Sequence, residues 1–151
     1  MKRNKESGQA LLFMAMVLPV LIGMIGMVID IGYARREKIM LQNACDAAAV
    51  AGALEVGLID VTQAAISGAK ENNVNDGVTV YYPPQDGGHV GDMTSVEVVI
   101  NDDCPTFFVR LFNKNSIPIQ VRAVAQGVVT KTPNPKPGGD PIRHSKAHLV
   151  E

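Results

Sequence analysis

From Ala10 to Ile29 the chain reads ALLFMAMVLPVLIGMIGMVI, an apolar run without a single charge. As a helix, a run of that length covers about 30 Å, the hydrocarbon thickness of a bilayer. Eleven of its residues are Leu, Ile, Val or Phe. At roughly −0.3 to −0.6 kcal/mol each they favour insertion by about 3 to 7 kcal/mol, less what Pro19, Gly23 and Gly26 take back. Two other structures bury such a run. A core helix must be enclosed on all sides, and the rest of a 151-residue chain is too small to do so. A cleaved secretory signal suits the basic start MKRNK, but its apolar region spans only about 7 to 15 residues. Small-residue cleavage sites appear only beyond Arg35 and Arg36. The run is therefore predicted to be one transmembrane helix that stays attached.

That helix organises the chain. Residues 1–9 form a short cytoplasmic N-terminus, 10–29 the span, 30–130 an outer domain and 131–151 a tail. Lys2, Arg3 and Lys5 argue for a cytoplasmic start, while Arg35, Arg36 and Lys38 on the other side weaken the bias. A tail of a few residues cannot be the working part, so the bulk is expected outside the cytoplasm. The formal charge of −1 supplies no basic field for nucleic acid. Pro19 is a site for a kink. Gly23 and Gly26 are three apart and do not make the four-residue spacing of the GxxxG helix-contact motif. Asp30 closes the run, either as a boundary residue touching headgroup water or as an ion-pair partner for a neighbouring subunit.

Beyond the span, Arg35 to about Leu54 holds no Pro, and Gly52 is its one Gly. Arg35, Lys38, Gln42 and Asp46 fall three or four apart and share one helical face. Leu41, Ala44, Ala48 and Ala51 share another. Small side chains let a second backbone approach closely but bury little area, so such a face needs a partner surface. High helix propensity of Ala explains the same composition without a partner.

Four stretches in order, GQALL (8–12), LPVL (18–21), DIGYA (30–34) and LQNACDAAAVAGA (41–53), carry a resemblance. The chain resembles the TadE/TadG-like family of Flp (tight adherence) pilus-assembly proteins over about its first 53 residues. The resemblance implies a single-pass bacterial inner-membrane protein with a pilin-like N-terminal helix. Its implied partners are membrane lipid, other pilus-assembly or secretion subunits, and further copies of itself in a homo-oligomer. Family members cut by the prepilin peptidase resemble G-x-x-x-x-E, cleaved after the Gly. Here Gly8 is followed five residues later by Phe13, which points to the permanently anchored, TadG-like branch. Cleavage between Gly8 and Gln9, giving a minor pilin incorporated in the filament, is one alternative, and a membrane-tethered extracytoplasmic ligand-binding module is the other.

In the outer domain Gly57 interrupts the helix, and Asp60 to Gln63, DVTQ, reads as a capping box opening a second helix from about Val61 to Glu71. GVTVYY (77–82), TSVEVVIN (94–101) and IPIQVRAVAQGVV (117–129) have the β-branched alternation of strands. PPQDGGHVGD (83–92) is a loop by composition. CPTFFVRLFN (104–113) is expected to be a short helix opened by Pro105, with Phe107, Phe108, Leu111 and Phe112 in the core. Lys131 onward is rich in Pro and Gly and is expected to be disordered. The fold class is α+β: a long transmembrane helix continuing into a pilin-like outer domain with a short helix and a small antiparallel sheet. The alanine-dense segment is expected to meet that sheet or adjacent subunits.

Catalytic chemistry has little foothold. No nucleophile elbow, zinc-protease helix, P-loop or dinucleotide fingerprint occurs, and no cofactor or metal is expected. Asp86, His89 and Asp92 lie in a Gly-rich loop and read as solvated, and His144 and His148 fall in the tail. Outside the cytoplasm, Cys45 and Cys104 either form a disulfide, which in the chain-entropy model stabilises by roughly 4 kcal/mol, or are two small buried hydrophobes.

Overall fold

The computed structural model describes residues 6–58, 60–128 and 146–150. The chain divides into two compact units, one of residues 1–37 with 103–118 and one of 38–102 with 119–151. Helix α1, Glu6–Leu54, contributes to both and continues past Pro19. In the first unit its large apolar residues from Leu11 to Ile29 are exposed. A length of apolar helix left uncovered by its own chain is what a bilayer-spanning segment presents.

In the second unit the helix ends where expected. Gly57 takes φ +81, a left-handed conformation open to Gly at little cost. Asp60 then caps α2, Val61–Glu71, its Oδ1 accepting from the N–H of Gln63 at 2.9 Å. Asn73, at φ +64, turns the chain out of it. The sheet follows: β1 Val78–Tyr81, β2 Ser95–Pro105, β3 Ser116–Val128 and β4 Lys146–Val150, in spatial order β1-β2-β3-β4. β1 runs antiparallel to β2 with Val80 opposite Val98, and β3 antiparallel to β4 with Gln126 opposite His148. Val96, Val98 and Ile100 of β2 and Val121, Ala123 and Ala125 of β3 are buried at every second position, and their neighbours Ser95, Glu97 and Val124 are buried as well.

The structure differs from the sequence expectation in two places. The tail supplies a fourth strand at 146–150, where pairing with β3 supplies order that its composition does not advertise; the expectation for 131–145 lies outside the described residues. Residues 104–113 are not a helix opened by Pro105. β2 runs on through Pro105, and only a 3-10 turn at Val109–Phe112 follows. Phe107, Leu111 and Phe112 are 60, 84 and 72% exposed, so they are not core.

Candidate functional site

The alanine-dense part of α1 lies in the second unit. Leu41, Ala44, Cys45, Ala48, Ala49 and Ala53 are buried, following the three-and-four spacing of one helical face. Ala51 is only half-buried, so the covered face is turned toward Cys45 and Ala49 relative to the sequence expectation. Small residues here permit backbone contact. A Cβ placed on Gly68 of α2 would lie 2.9 Å from Ala51 Cβ and 3.1 Å from Ala48 Cα. One on Gly52 would meet Ala65 Cβ and Val96 Cγ1, both at 3.1 Å, and one on Gly127 of β3 would overlap the Ala53 carbonyl oxygen. The methyl-rich surface is thus consumed inside the chain, against α2 and the sheet. Gln42 joins this seam: its Nε2 donates to Asp46 Oδ1 at 2.8 Å and to the Arg122 carbonyl at 3.1 Å.

Asp30 holds a different element, in the first unit. It is 2% exposed, and its carboxylate receives three backbone donors from the turn between β2 and β3. The N–H of Phe107 donates to Oδ1 at 2.9 Å, and those of Phe108 and Val109 to Oδ2 at 2.9 and 2.7 Å. Three convergent N–H groups on one carboxylate are a charge-assisted cap on the 3-10 turn. Phe107 meets Tyr33 edge-on with ring centroids 5.6 Å apart, and Phe108 occupies the space that a side chain at Gly26 would take. Pro19, Gly23 and Met27 of α1 then line a cavity of about 340 Å³ with Phe108, Leu111 and Phe112. Pro19, Gly23, Gly26, Asp30 and Tyr33 recur every three or four residues along α1, a register that the sequence contains but that composition alone does not single out. Asp30 therefore bonds within its own chain, a partner that neither reading from the sequence supplied.

The loop before β2 is knitted by polar bonds. Arg122 Nε donates to Glu97 Oε1, and Glu97 Oε2 accepts from the N–H groups of Gln85 and Asp86. Asp86 caps the turn at Gly87. Asp92 accepts from the hydroxyl and N–H of Thr94 and from Ser95 Oγ, with His89 Nδ1 3.8 Å away. The Thr94 hydroxyl foremost, then its N–H and the Ser95 hydroxyl, hold the Asp92 carboxyl down at about 2. Its oxygens are thus committed to the loop, and no group of three or more metal-ligating side chains occurs among the described residues.

Both cysteines are buried, one in each unit. The Cys45 thiol donates to the Val98 carbonyl at 3.2 Å, and Cys104 Sγ lies 3.8 Å from the Pro105 carbonyl. Burial, with Asp46 nearby, pushes the Cys45 thiol up to about 12. Gly8 and Gln9 are exposed in the opening turns of α1.

Nearly the whole of α1 also matches a known family. Residues 8–55 match the Tad family of Flp pilus-assembly TadE/G-like proteins. The match covers roughly a third of the chain and stops one residue after α1 does. No curated protein and no solved structure matches the chain. The Tad-like segment contains Pro19, Asp30, Leu41, Gln42, Ala44, Asp46, Ala48 and Ala51, so every α1 residue named above as a packing position falls within it.

Proposed function

We propose that the protein is a membrane-anchored, non-enzymatic component of tight adherence (Flp/Tad-type) pilus assembly or secretion. The observation that carries this reading is the coincidence of the Tad-like segment with α1, exposed along its apolar run and packed beyond it. The helix spans the bacterial cytoplasmic membrane once, residues 1–9 stay inside, and the outer unit meets pilus or secretion subunits. Its work is mechanical and organisational: an anchor, a continuous helix and a rigid α+β head. The absence of an acid between Gly8 and Phe13, which stands five residues on, favours the permanently anchored, TadG-like form.

A processed minor pilin is the second reading, favoured by the exposure of Gly8 and Gln9 at the start of α1. Intact mass of the native protein from membrane and sheared-surface fractions separates the two. A full-length species confined to membranes is expected. A species beginning at Gln9 and recovered from filaments would replace the anchored reading with the pilin one. Recovery from neither membranes nor filaments would refute both.

A further inference from the structure

We propose that the turn between β2 and β3, residues 106–113, enters the bilayer beside its own transmembrane helix, with lipid chains covering Phe107, Leu111 and Phe112. The proposal rests on the membrane-anchored reading of α1, and its first support is depth. The apolar run ends at Ile29, and Asp30 grips the start of the turn. The far end of the turn lines a cavity with Met27, Gly23 and Pro19. At 1.5 Å per residue, Pro19 lies about 16 Å below Asp30, near the middle of a hydrocarbon layer about 30 Å thick. Phe108 packs over Gly26, four residues and about 6 Å below Asp30, so the apolar side chains of the turn lie beneath the end of the apolar run and not in the headgroup region.

Its surface has the matching chemistry. Leu111 and Phe112 are 84 and 72% exposed, and they continue the apolar surface that α1 presents from Leu11 to Ile29. In water this would be an unusually large apolar patch; in lipid it is ordinary. Irregular backbone is tolerated at membrane depth only when its polar groups are satisfied within the protein. The turn meets that condition at most of its donors. Asp30 takes the N–H groups of Phe107, Phe108 and Val109. Leu111 N–H donates to the Phe108 carbonyl at 3.0 Å, Asn113 N–H to the Arg110 carbonyl at 3.0 Å, and Thr106 N–H to the Asn115 carbonyl at 3.1 Å. The Thr106 hydroxyl donates to the Lys114 carbonyl. Arg110 is the one charged residue within 106–113 and is exposed, and its long stem lets the guanidinium extend toward the interface. A second copy of the chain could cover the same surface, and the test distinguishes that occupant from lipid.

The chain contains no Trp, so single Trp substitutions report cleanly. Leu111→Trp and Phe112→Trp place the probe on the turn, Val20→Trp on the exposed helix, and Val90→Trp on an exposed loop of the outer unit. The full-length protein is reconstituted at high lipid excess into phosphatidylcholine vesicles containing lipids brominated along the acyl chain. Loss of fluorescence is expected for both turn variants, comparable to that of Val20→Trp, with Val90→Trp unchanged. Quenching of Val20→Trp without either turn variant would overturn the proposal while leaving the membrane anchor intact. The measurement is repeated at low lipid excess, where quenching of the turn variants is expected to persist. Turn variants quenched at high lipid excess but protected at low excess would assign the surface to a second copy and overturn the lipid assignment. No quenching of Val20→Trp would refute the anchor itself, and the proposal with it.

Discussion

Gly68→Ala sets two effects of similar size against each other at the seam between α1 and α2. Gly68 lies within α2, where replacing Gly by Ala gains about 0.8–1.0 kcal/mol of helix propensity. Against that, the new Cβ would sit 2.9 Å from Ala51 Cβ, 3.1 Å from Ala48 Cα and 3.3 Å from the Ala47 carbonyl oxygen. Two of those three neighbours are backbone atoms of a continuous helix, which cannot step aside as a flexible side chain can. Overpacking of this kind costs about 1–3 kcal/mol, so the steric cost exceeds the propensity gain. Net destabilisation of about 1 kcal/mol is expected, a fall in Tm of about 4–8 °C for a domain of this size. The assay is thermal unfolding of the full chain in detergent micelles, followed by circular dichroism. Repeating it in an Ala51→Gly background removes the nearest contact, so the cost of Gly68→Ala there should shrink by about 0.5–1 kcal/mol. A Gly68→Ala protein that is more stable than wild type would refute the close approach of α1 and α2.

Two further outcomes follow from the polar and thiol groups of the second unit. Because Asp92 has its carboxyl lowered from 3.8 to about 2, its contribution is complete above about pH 4 and is lost as pH falls through about 2. The Tm difference between wild type and Asp92→Asn should therefore narrow on acidification from about pH 5 to pH 2, and a difference constant across that range would contradict the assignment. With its thiol buried and pushed up to about 12, Cys45 should resist iodoacetamide at neutral pH in the folded protein and react once the chain is denatured without reductant. Peptide mapping reads this directly, and a Cys45 peptide that stays unlabelled after denaturation would mean that the thiol is oxidised.

Several elements are legible in the sequence because their causes are local. The apolar run declares itself by length and lack of charge. Asp60, Gln63 and Gly57 mark the ends of two helices through capping and left-handed backbone, and β2 shows its alternation in SVEVVI. The turn at 106–113 misleads for an equally physical reason. Phe107, Phe108, Leu111 and Phe112 have helical spacing, and in water such a pattern means a core face. In the structure that surface instead stays exposed beside the equally exposed apolar stretch of α1. The strand at 146–150 is hidden because its order comes from pairing with β3, a partner distant in sequence: Lys146 sits opposite Val128, and Val150 opposite Val124.

What the sequence determined alone was the α+β class, the apolar run, the course of α1 and the presence of a methyl-rich face needing close contact. Tertiary structure decided what that face touches and what Asp30 does. Ala48 and Ala51 meet Gly68, and Asp30 meets the backbone of Phe107 to Val109. A side chain's local pattern fixes the face it occupies on a helix. Its partner is set by how distant segments fold back, and backbone N–H groups, present at every residue except proline, leave no mark in the sequence to show which carboxylate will hold them.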